Sequence, residues 1–125
     1  MTTPIDWPLS LKLAANDLDL ARELLTRFVG ELPASMEKIQ EAFASGDTQA
    51  KINTVHHIHG ASCYCGVPDL RLALKQLESQ LNACDEEALI TPLYQIVDDA
   101  VIDVISAYST LHVTAPGDYD KATTH

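Results

Sequence analysis

Residues 16–32 read NDLDLARELLTRFVGEL. Asn16 and Asp17 stand where a helix wants its N-cap, and Leu18, Ala21, Leu24, Leu25, Phe28 and Leu32 follow at the three-four spacing of a helix that buries one stripe. The same pattern continues outward in both directions. Beyond Pro33 the stripe resumes with Met36, Ile39 and Phe43 until Gly46, which predicts either one kinked helix or two helices in tandem. Asp47 can cap the next helix, which has to stop near Gly66 and Pro68. Asp69 can cap a helix carrying Leu70, Leu74, Leu77 and Leu81. Thr91 with Pro92 reads as an N-cap and first-turn proline for a last helix through Leu93, Ile96, Val97, Ala100, Val101, Val104, Ala107, Tyr108 and Leu111. Upstream, Asp6-Trp7-Pro8 can begin a short helix through Leu9 and Leu13.

No sustained apolar/polar alternation and no Asn-Gly or Asp-Gly hairpin signal competes with these helices. Amphipathic helices joined by short turns predict an all-α fold, an antiparallel four-helix bundle with the short N-terminal helix as a lid. One domain, residues 1–113, is expected, because 125 residues with 46% hydrophobic and 21% charged content suit a single globular core. From Thr114 to His125 the composition turns polar around Pro116 and Gly117 and predicts a loose tail.

The net charge of −10 opposes non-specific binding to nucleic acid or anionic lipid. No apolar run approaches the roughly 20 residues of a membrane helix, and the N-terminus lacks the basic-then-apolar signature of a signal peptide. A cytoplasmic location is expected, without direct membrane contact. Three cysteines, Cys63, Cys65 and Cys84, form no secreted framework, and Cys65 and Cys84 read as small core residues.

The chemistry lies between Asp47 and Cys65. At about 100° per residue, Thr54, Val55, Ile58, Ala61, Ser62 and Cys65 share one arc with Ile58 near its centre, which should be the buried side. His56 lies about 160° from Ile58 and should face solvent, with Asn53 beside it and Gly60 one turn further on. A glycine inside a helix costs about 1 kcal/mol relative to alanine, so one placed there suggests that something must approach the backbone. His59, three residues from His56, lies on the flank and can reach a group shared with it. A neutral imidazole can attack phosphorus without a separate base. The chain has no Gly-x-x-x-x-Gly-Lys loop with which to hold a nucleotide donor.

His56-x-x-His59-Gly60, followed by Gly66 and a leucine-rich helix, resembles the signature of histidine-containing phosphotransfer (HPt) domains, in particular those that end hybrid sensor kinases of the BarA/GacS type. The resemblance covers roughly residues 5–111. It implies a phosphorelay intermediate in two-component signalling rather than an enzyme with kinase activity of its own. The phosphoryl group would come from the aspartate of a hybrid kinase's receiver domain and pass to the receiver aspartate of a response regulator. It further implies His56 as phosphoacceptor, His59 in the place of a phosphate-neutralising lysine, Glu78 as the group that orients the imidazole, and Gly66 as the end of the helix. A histidine in the lysine's place is only partly charged near neutral pH, so transfer is expected to weaken as pH rises. Asn53, His57, Gly60, Cys63 and Tyr64 would border the receiver. No cofactor of the chain's own is expected, with magnesium on the partner receiver, and a single phosphoacceptor needs only a monomer. Such a domain can be the cytoplasmic C-terminal part of an inner-membrane sensor kinase.

Two other readings compete. A helical scaffold or dimerisation module would make the exposed histidines incidental. Zinc binding by His56, His59 and Cys63 is the sharper rival, but one helix supplies at most three ligands in poor tetrahedral geometry, so no metal site is expected.

Overall fold

The computed structural model describes residues 4–114, and side chains through residue 110. Among these the chain forms helices α1 (Trp7–Leu13), α2 (Leu18–Ser45), α3 (Thr48–Ser62), α4 (Pro68–Ala83) and α5 (Glu87–Thr114). α2 packs on α3, α3 on α4 and α4 on α5, and α5 returns to α2, closing an antiparallel four-helix ring; α1 lies against α2. This is the all-α bundle with a short N-terminal lid that the periodicity predicts.

The predicted stripes form the core. Leu25, Phe28, Leu32, Met36 and Ile39 of α2 meet Val55 and Ile58 of α3, Leu70, Leu74, Leu77 and Leu81 of α4, and Val97, Val101 and Val104 of α5. Each such side chain stabilises the fold by about 1.5–3 kcal/mol when removed from water. Leu18 and Ile96, assigned to these stripes by spacing, are exposed instead; a stripe read at whole-residue spacing drifts at its margins.

Burial overrode the local stop signals at several points. Pro33 lies inside α2, which is one continuous helix rather than two in tandem. The backbone bond missing at its nitrogen costs roughly 3 kcal/mol, and the buried residues on both sides of it, Val29, Leu32, Met36 and Ile39, offset that by keeping to one face. Pro92 likewise lies inside α5, which starts at Glu87. The buried Ile90 draws in the preceding turn, and the Leu89 and Ile90 amides donate to the Glu86 carbonyl at 2.9 Å. Thr91 is therefore not an N-cap.

Asp69 is not one either. α4 starts at Pro68 after a buried Val67, with no side-chain cap, and Asp69 stands in the first turn, where its charge suits the helix dipole. The caps read at Asp17 and Asp47 are made, and Asp6 caps α1 as well, each side chain accepting from backbone amides at the start of its helix. Cys84, expected in the core, is exposed beyond the end of α4. Helix α5 runs through Thr114, and the remainder of the predicted tail, 115–125, lies outside the described residues.

Gly66 has a different part from the helix end expected of it. α3 stops at Ser62, and Gly66 lies in the turn that follows, pressed against α1. Its amide donates to Ser10 Oγ at 3.0 Å and its carbonyl accepts from Asp6 N at 2.7 Å. A Cβ there would collide with Asp6 O, Ser10 Oγ and Ser10 N. The lid is thus clamped to the α3–α4 turn.

Candidate functional site

α3 is seated by its inward arc. Val55, Ile58 and Ser62 are buried in the helix and Cys65 in the turn beyond it; Thr54 is half-buried, and Ala61, at the edge of the arc, is exposed. Burial pushes the Cys65 thiol up to about 11, and its Sγ lies 3.6 Å from Leu24 O, so it packs rather than reacts. With that face inward, the opposite face is set: the His56 side chain is 70% exposed, and Asn53, His57 and Gly60 are exposed with it. Asn53 Oδ1 accepts from Gln49 Nε2 at 2.8 Å. A Cβ built on Gly60 meets nothing within 4 Å, so the backbone beside His56 lies open.

The neighbouring helix completes the site. Glu78, on α4, places Oε2 2.6 Å from His56 Nδ1 and Oε1 3.0 Å from His59 Nδ1. One carboxylate therefore joins both imidazoles. An ionised carboxylate only accepts hydrogen bonds, so Nδ1 carries the proton in each ring. For His56 in its neutral form this leaves Nε2 with the lone pair, on a ring that stands in solvent. His59 differs: its side chain is 19% exposed, and its Nε2 lies inside the protein with no hydrogen-bond partner.

Of the remaining predicted residues, only Cys63 contacts this centre. Cys63 is half-buried, its thiol donating to the His59 carbonyl at 3.3 Å, and Tyr64 is exposed. Among the described residues no group of three or more His, Cys, Asp or Glu, the His56, His59 and Cys63 set weighed for zinc included, is arranged to hold a metal ion. No described helix is long and apolar enough to cross a membrane.

A groove that reaches two of the predicted docking residues escaped the sequence reading. About 550 Å³ in volume, it runs between α2 and α3, lined by Glu31, Ala34, Ser35 and Lys38 on one side and Asn53 and His57 on the other. Small and polar residues on the outer face of α2 were its signal, but spacing alone does not say which neighbour that face meets.

The helical bundle thus displays an exposed imidazole, held by a carboxylate of the neighbouring helix, beside open backbone. The family model described as the Hpt domain matches residues 23–107, more than half of the chain, and the chain belongs to that family. Sensor histidine kinase GacS of Pseudomonas protegens is 42% identical over 84 residues, which is 67% of this chain and 9% of that protein. The signal transduction histidine-protein kinase BarA of Escherichia coli K12 is 30% identical over 96 residues, 76% of this chain and 10% of that protein. The chain thus spans about a tenth of the length of these curated relatives. Among solved structures, the HPt domain from a hybrid sensor histidine kinase of Shewanella superposes with a TM-score of 0.81 at 32% identity, covering 90% of this chain and 97% of that one.

Proposed function

We propose that the chain is a phosphorelay intermediate that takes a phosphoryl group from the aspartyl phosphate of a receiver domain onto His56 and passes it to the aspartate of a second receiver, on a response regulator. The observation that carries this reading is the 2.6 Å bond between His56 Nδ1 and Glu78 on an exposed ring. In the forward step the lone pair of Nε2 forms the N–P bond while the acyl phosphate O–P bond breaks and the aspartate leaves as carboxylate. No proton needs to leave the ring, because Nδ1 keeps its own. The product is a phosphoimidazolium whose positive charge lies against the Glu78 carboxylate. In the second step the ring departs as a neutral imidazole, so the same arrangement serves both directions.

Gly60 and the groove between α2 and α3 give a receiver a close approach, with the magnesium such chemistry uses expected on the receiver side. The curated relatives are histidine kinases and the superposed Shewanella domain comes from a hybrid one, which supports a hybrid kinase's receiver as donor. Incubation with a phosphorylated receiver tests the reading. Label should move to the native chain in an acid-labile, base-stable form and fail to move to His56→Gln; equal labelling of both overturns the assignment.

A further inference from the structure

We infer that His59 is a positioning residue that acts on His56 through Glu78, rather than a cation that neutralises the phosphoryl group. The inference rests on the phosphorelay reading above and deepens it. A glutamate reaching across from α4 has several rotatable bonds, and fixing it costs side-chain entropy. With one oxygen on His56 and the other free, the carboxylate would swing and exchange its partner for water. Here the second oxygen is taken: Oε1 lies 3.0 Å from His59 Nδ1 while Oε2 lies 2.6 Å from His56 Nδ1. The holder is the better buried ring, 19% exposed against 70% for the ring that is held, as expected where one imidazole is scaffold and the other reagent.

His59 is also badly placed for the neutralising part. Its only other nitrogen, Nε2, is buried and without a partner, so neither ring nitrogen is offered to a phosphoryl group on His56 unless the ring lets go of Glu78. The i, i+3 spacing that suggested a shared anion in the sequence is met by a carboxylate of the same chain.

Two readouts separate the roles. In the nitrogen-15 spectrum above pH ~8, where free imidazoles are neutral, His56 in the native chain should sit close to the pure Nδ1–H tautomer. His59→Leu should move it towards a mixture and slow phosphoryl uptake about fivefold, the factor one ordinary hydrogen bond carries. His59→Asn puts an amide N–H where Nδ1 was and should restore most of both. In a Glu78→Ala background, His59→Leu should cause no further loss of rate, since the group it acts through is gone. Unchanged His56 shifts in His59→Leu, equal loss in His59→Asn and His59→Leu, or losses that add in the Glu78→Ala background would each overturn the inference. Circular dichroism of every variant establishes that it is folded, and the tautomer readout stands even if no receiver labels the chain.

Discussion

Gly60 and Gly66 are six positions apart and lack a side chain for opposite reasons. At Gly66 the crowding is internal: α1 presses its backbone and Ser10 against the turn, and any Cβ collides. At Gly60 the chain itself leaves the space empty, with nothing within 4 Å of a built Cβ, yet the residue lies inside α3, where glycine is unfavourable by about 1 kcal/mol relative to alanine. The first glycine answers a need of the fold. The second answers none that the fold contains, which is why it belongs to the proposed docking face. An identical letter therefore carries information about packing in one place and about an absent partner in the other.

The largest effect that would sharpen this contrast is expected for Gly66→Ala. Overpacking together with the loss of the Ser10 and Asp6 bonds should destabilise the fold by roughly 3 kcal/mol, read from urea unfolding. An unfolding midpoint equal to that of the native chain would break the contrast from the fold side. Ser10→Ala tests the same clamp more gently. It leaves the buried Gly66 amide without its acceptor at 3.0 Å and should cost about 1–2 kcal/mol.

Gly60→Ala should act with the opposite sign on the fold, raising stability by up to about 1 kcal/mol, while slowing phosphoryl uptake from a receiver because the added methyl stands at the proposed interface. Faster or unchanged uptake in a stabilised Gly60→Ala chain would remove the reason for assigning that glycine to docking.

The smallest expected effect concerns the start of α3, far from either glycine. Asp85 accepts from Thr48 Oγ1 and from Lys51 Nζ at 3.0 Å, and these bonds, the Thr48 one foremost, hold its carboxyl below the usual 3.8. The folded value lies below the unfolded one, so the contribution to stability is complete above the ordinary aspartate range and is lost as pH falls through the folded value. Acid titration of the native chain and Asp85→Asn should show a stability gap at neutral pH that closes in acid; a gap independent of pH would contradict it.

Most of the fold was legible in the sequence because apolar spacing reports burial directly: the stripes from Ala21 to Ile39 and from Leu70 to Leu81 are core as read. What spacing could not report was the outcome of competition between burial and local stop signals. Pro33, Asp69 and Thr91-Pro92 each carry a local preference of about 1–3 kcal/mol, and each yields to buried neighbours whose combined contribution is larger. At the candidate site, the outward direction of His56 and the openness at Gly60 followed from the helical wheel, and Glu78 entered through the family resemblance. That one carboxylate spans both histidines was not legible, since it depends on the relative register of α3 and α4, which no single-helix pattern encodes. The groove that α2 forms with α3 was missed for the same reason.

The short helix α3 is fastened at both extremities. At its beginning, Lys51 reaches Asp85 while lying 5.3 Å from the Phe43 ring centroid, and Phe43 in turn meets Tyr94 edge-on; past its end, Gly66 is gripped by the lid. A bar held at two points has little freedom to bend between them. Loading and unloading at its middle would then leave its backbone in place, so a receiver arriving at the charged or the empty form would meet the same helix and would tell them apart by the phosphoryl group itself.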